Sequence, residues 1–172
     1  MKELIQRIPK VKTPPLSNFS GIIAAIAIAM PGLFEHFSEG LEYRWIAFGL
    51  YFTFIFFIVV RDQALKSHLP TSIYLAIQTL LIISILALPP HHEFVVIFFF
   101  ILSAEASTLQ PGKKGYLWIS LFVLITAAFF IILHDLQSAL YSVPIYAGGY
   151  FFFGAFAAAA AKAEVARAAS QS

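Results

Sequence analysis

Six apolar blocks follow one another along this chain, and most of its residues lie inside them. They occupy 18–37, 45–60, 71–88, 94–109, 116–133 and 141–161. A spanning helix needs about 20 mostly apolar residues, within a range of about 17–25. Lipid offers the backbone no hydrogen-bond partners, so helices are the structure these blocks can form there. The blocks at 45–60 and 94–109 are short and must draw on flanking residues. Breakers separate the blocks: Ser38-Glu39-Gly40, Leu69-Pro70, Pro89-Pro90, Pro111-Gly112 and His134-Asp135. Pro70 and Pro144 are expected near helix starts, where a missing N–H does little harm. Pro31-Gly32, inside the first block, is placed to kink it. Hydrophobic residues make up 60% of the chain, charged residues 12%, and mean hydropathy is +0.83. Soluble domains average about 45–50% apolar and about 25% charged. The expected fold is all-α, a polytopic membrane bundle of six helices. Residues 1–17 form a basic N-terminal segment, 18–161 the bundle, and 162–172 the start of a connector helix.

Basic residues set the expected orientation, because they favour the cytoplasmic face. Lys2, Arg7, Lys10, Lys12, Arg61, Lys66, Lys113, Lys114, Lys162 and Arg167 fall on one side, leaving Arg44 alone on the other. Both termini are therefore expected in the cytoplasm of a cell inner-membrane, multi-pass protein. The opposite side carries Glu35, Glu39, Glu42, Glu93 and Asp135. Its short loops leave no room for a folded outer domain. Tyr43, Trp45, Tyr116, Trp118 and Tyr141 stand at block ends, as interfacial aromatics do. The phenylalanine runs 98–100 and 151–153 read as lipid-facing and packing residues.

Little catalytic chemistry is encoded. The chain has no cysteine, which removes disulfides, thiolate metal sites and thiol nucleophiles. It contains no HExxH, nucleophile elbow, P-loop or potassium-filter sequence. No catalytic residue and no cofactor is assigned, and a net charge of +2 gives no basis for nucleic-acid binding. Glu105 is the one acidic residue deep inside an apolar block, Glu35 standing near the outer end of the first. A charge at mid-membrane costs roughly 2.5–3.5 kcal/mol on insertion scales, so such residues tend to be functional. Gln78 and Tyr74 lie at similar depth on the preceding helix. A Gln78–Glu105 hydrogen bond would clasp the third and fourth helices. A proton, ligand or transport site is the functional alternative to that structural clasp.

On the outer side, His36, His91, His92, Glu93, His134 and Asp135 combine imidazole and carboxylate, the ligands of zinc and the groups that titrate near neutral pH. None of these pairs has helical metal-site spacing, so solvated loops compete with metal or pH sensing. Gly21, Ala25 and Ala29 form a small-residue stripe, and Gly154 and Ala158 a shorter one. Such stripes serve close helix packing within a bundle or across a dimer. After Gly154 neither Pro nor Gly interrupts the chain. Its alanines, with Lys162, Glu164 and Arg167, favour continued helix beyond the bilayer, and Glu164 and Arg167 have i, i+3 pairing spacing.

Two stretches resemble the membrane region of bacterial sensor histidine kinases. One is Phe98-Phe99-Phe100-Ile101-Leu102-Ser103-Ala104-Glu105-Ala106, followed by Pro111-Gly112-Lys113-Lys114-Gly115-Tyr116-Leu117-Trp118-Ile119. The other is the ending from Ala161 to Ser172, similar to the helix that leads into the dimerisation and phosphoacceptor helices. The resemblance implies an input module of a two-component system. It would act as a homodimer in the lipid bilayer, with downstream kinase domains and a response regulator as partners. A shift or rotation of the last helix would be the output. The chain departs from a complete kinase: no histidine stands in a suitable cytoplasmic helix, and no nucleotide loop is present. On this reading it is the input half alone, by truncation or as a natural fragment. The alternatives are a small transporter or channel lined by Glu105 and Gln78, and a structural membrane subunit.

Overall fold

The computed structural model describes residues 15–38, 42–66, 69–89 and 91–170. Among these the secondary structure is helical throughout. Six α-helices follow in order: α1 (Pro15–Ser38), α2 (Arg44–Lys66), α3 (Thr71–Leu86), α4 (Phe98–Leu109), α5 (Lys113–Leu133) and α6 (Leu136–Ser170). A 3-10 turn, Glu93–Ile97, leads directly into α4. The fold is thus all-α, as the blocks imply. The basic segment 1–17 falls largely outside the described residues, as does Glu39.

Local chemistry sets the boundaries. Pro70, extended at φ −60° and ψ 135°, stands immediately before α3. Gly112 adopts φ 81° between α4 and α5, a conformation that suits glycine. The second block extends as its shortness requires, since α2 continues through Arg61 to Lys66. One expectation needs correction. Pro144 lies about two turns inside α6, because that helix begins at Leu136, earlier than the apolar block. Its missing N–H therefore falls within the helix rather than at its start. α1 runs through Pro31 as one helix.

α4 is the hub, packing against α6, α5, α3 and α1, while α2 packs against α1 and α3. The core around it is aromatic. Phe99 stacks on Phe122 at 5.0 Å, Phe54 meets Phe98 edge-on at 4.7 Å, and Phe100 meets Tyr150 at 5.1 Å. Such geometries add to the burial of ring area itself. The Tyr150 hydroxyl donates to the Val96 carbonyl at 3.0 Å and lies 2.8 Å from Thr126 Oγ1. The phenol has one proton, so Thr126 is the donor of the second bond. The two phenylalanine runs divide accordingly: Phe98 and Phe99 are fully buried, whereas Phe151, Phe152 and Phe153 face outward.

Large apolar side chains also cover the outside. Phe34, Trp45, Leu117, Leu124, Ile132 and Ile145 are each at least 65% exposed. A surface of this kind suits lipid rather than water. Three helices, α2, α5 and α6, are long and apolar enough to cross a membrane. The apolar part of α1, Ile22–Glu35, and the helix α3 are shorter. The protein is therefore membrane-like in its helices.

Candidate functional site

The two faces of α4 hold different neighbours. Glu105 is 5% exposed and turns toward α2 and α3. Ser103 and Ser107 precede and follow it by two residues, which places them roughly 200° away around the helix. They meet α6 at Gly154, where an added Cβ would lie 2.7 Å from Ser107 Oγ and 3.3 Å from the Ser103 carbonyl oxygen.

Arg61 Nη1 donates to Glu105 Oε1 at 3.2 Å, and the Tyr74 hydroxyl donates to Oε2 at 3.0 Å. One helical turn along α3, Gln78 Nε2 donates to the Tyr74 oxygen at 3.3 Å and to the Phe54 carbonyl at 3.4 Å. The expected meeting of Glu105, Tyr74 and Gln78 is present, with one correction. Gln78 reaches Glu105 through the Tyr74 hydroxyl, because that hydroxyl occupies the space between them. Arg61 Nε also binds Asp62 Oδ1 at 3.1 Å. The guanidinium, with 17% of its side chain exposed, thus bridges a buried carboxylate and one that is 39% exposed.

Arg61 is the site residue that sequence reasoning missed, since it counts there only among the basic residues of one side. Its signal was available: 45–60 is too short to span, and Arg61-Asp62 follow Val60 without a breaker. Two buried polar atoms at this level, Gln78 Oε1 and Ser103 Oγ, have no hydrogen-bond partner among the described residues. Removing two charges from water is expensive, so a buried pair adds little net stability but can fix one arrangement of its helices. The clasp joins α2, α3 and α4 in this way.

The outer imidazoles pair off instead of converging. His92 Nδ1 lies 2.8 Å from Glu35 Oε2, and His134 Nε2 lies 3.2 Å from Glu93 Oε1. His91, at φ 60°, places Nδ1 3.1 Å from the Leu86 carbonyl. Among the described residues no three His, Asp or Glu side chains group to hold an ion. The side chain of His36 lies outside the described residues, as does the packing at Gly21. Both imidazole–carboxylate pairs secure the 3-10 turn to its neighbours.

Asp135 caps α6, its Oδ1 accepting the Ser138 amide at 2.6 Å. That bond holds its carboxyl below the usual carboxylate range. The cap's contribution is therefore complete above the unfolded-chain value, about 3.9, and fades as pH falls through the lower folded value. Asp135→Ala is expected to loosen the first turn of α6 at neutral pH and to have little effect well below pH ~3. Amide exchange at Ser138 in both variants checks this.

Ala25 and Ala29 are buried within the chain, and Gly154 is buried against α4 and α5. These three residues serve internal packing. Ala158 is half-buried. On the exposed end of α6, Lys162 and Arg167 face outward, Glu164 is half-buried, and Glu164 and Arg167 form no ion pair. No family model, curated protein or solved structure matches the chain.

Proposed function

We propose that this chain is a signal-transmission module of the bacterial inner membrane, the input region of a sensor histidine kinase, with α6 as its output. The proposed topology has six crossings, and α6 leaves on the cytoplasmic side. The distribution of basic residues supports that orientation. The observation that carries the reading is the continuity of α6. Its 35 residues at a rise of ~1.5 Å each give roughly 52 Å, against about 30 Å of hydrocarbon. The helix is packed on α4 and α5 along its apolar part and is exposed over the small and charged residues that follow.

Coupling follows from the two faces of α4. The clasp at Glu105 sets its position relative to α2 and α3, and the glycine contact at Gly154 passes that position to α6. A movement of about an ångström between packed states is a sufficient output. In a homodimer, paired α6 helices would carry it to kinase domains and from there to a response regulator.

Grafting the chain onto a soluble core with a phosphoacceptor helix and ATP-binding domain tests this. One to four alanines inserted after Ala161 turn the downstream helix by ~100° each. Autophosphorylation should swing with insert number and return toward its starting level at four. Equal activity at every length would sink the reading.

A further inference from the structure

A cavity of about 300 Å³ opens between the start of α3, the end of α4 and the first turns of α5. Ser72, Gln110, Lys114, Leu117, Trp118 and Leu121 line it. The polar residues are wired together: Gln110 Nε2 donates to Ser72 Oγ at 2.6 Å, and Trp118 Nε1 donates to Gln110 Oε1 at 3.1 Å. What remains toward the cavity is weighted to donors: the Ser72 O–H, the second Gln110 N–H and the Lys114 ammonium. Among the described residues no carboxylate lines it. α3 and α5 both begin here, and neither has an acidic residue in its first turn, so their positive ends add to the same field.

Lys114, Leu117, Trp118 and Leu121 follow i, i+3, i+4, i+7 spacing, which makes one stripe along α5. The stripe starts with a cation and continues as apolar surface, with Leu117 69% and Leu121 40% exposed. Its indole sits where interfacial tryptophans do. A charged end joined to an apolar strip matches the shape of a phospholipid and not that of a free anion.

We infer that this groove holds an anionic phospholipid. The headgroup phosphate sits on Lys114, Ser72 and Gln110, and an acyl chain runs along Leu117 and Leu121. The site rests on the membrane placement proposed above, though not on the kinase reading. Gln110 closes α4 five residues after Glu105, so an occupied groove bears on the same helix as the clasp.

Trp118 reports occupancy directly. The chain has two tryptophans, and Trp45→Phe leaves one. That variant is reconstituted in phosphatidylcholine vesicles carrying a small fraction of brominated phosphatidylglycerol or brominated phosphatidylcholine. Quenching should favour the brominated phosphatidylglycerol by about fivefold, the scale of one lysine at an anionic surface. Lys114→Gln should bring the ratio close to one, while Lys162→Gln leaves it unchanged. Equal quenching by both lipids overturns the headgroup assignment alone. Quenching by neither overturns it together with the membrane placement. Loss of the preference on adding millimolar inorganic phosphate would assign the groove to a free anion and overturn the lipid.

Discussion

Arg61→Ala is expected to destabilise the bundle by about 3 kcal/mol, because it strands a buried carboxylate that keeps only the Tyr74 hydroxyl. Breaking a buried pair from one side costs roughly 3–5 kcal/mol, and the lower end applies since Arg61 retains 17% exposure. Glu105→Ala should cost less. The freed guanidinium keeps Asp62 and can reach toward solvent. Replacing both residues by alanine should cost clearly less than the two single losses summed, since no charge is left buried. Reversible unfolding in mixed micelles yields the four stabilities of this cycle. Strict additivity would show that the pair holds nothing together. A double variant less stable than Arg61→Ala would reverse the assignment of cost to the unpaired carboxylate.

The second large effect is steric. A side chain at Gly154 meets Ile119 Cδ1 at 2.6 Å, Ser107 Oγ at 2.7 Å and the Ser103 carbonyl at 3.3 Å. The isoleucine tip can turn aside, but the carbonyl belongs to the backbone of α4 and cannot. Overpacking of this kind costs roughly 1–3 kcal/mol, and Gly154→Leu should reach or exceed the upper end. It should also separate α6 from α4 and so uncouple the proposed output from the clasp. Gly148 provides the contrast, since nothing lies within 4 Å of its added Cβ. Gly148→Ala should be neutral or stabilising through helix propensity alone. Unfolding measurements on Gly154→Ala beside Gly148→Ala separate position from residue type. Equal losses at both sites would contradict the close approach of α6 to α4 at Gly154.

The sequence carries the helices well and their neighbours poorly. Apolar blocks bounded by Pro and Gly locate each helix because lipid and breakers act on local sequence. The long α6 follows from an alanine-rich stretch without a stop signal. Glu105, Tyr74 and Gln78 stand out by rarity and depth, both of which can be read along the chain. Arg61 does not stand out, because arginine beyond an apolar block looks like an ordinary cytoplasmic charge. Its role depends on which face of α2 meets α4, a tertiary fact. The outer histidines are open in the sequence for the same reason. Adjacency of His91, His92 and Glu93 does not tell loop residues from a site, and only the fold sends His92 to Glu35 and brings His134 to Glu93. The small-residue stripes signal close approach without naming the partner; Ala25, Ala29 and Gly154 find it within the same chain.

An output role for α6 requires that the helix emerge on the cytoplasmic side, and the absence of native cysteine makes that measurable residue by residue. Single cysteines at Arg44, Gln137, Lys113 and Lys162 are labelled with a membrane-impermeant maleimide in intact cells whose outer membrane is permeable to it. Arg44→Cys and Gln137→Cys should react at once, and Lys113→Cys and Lys162→Cys only after the inner membrane is opened. Labelling of Lys162→Cys in intact cells would place the end of α6 outside and contradict the proposed cytoplasmic output.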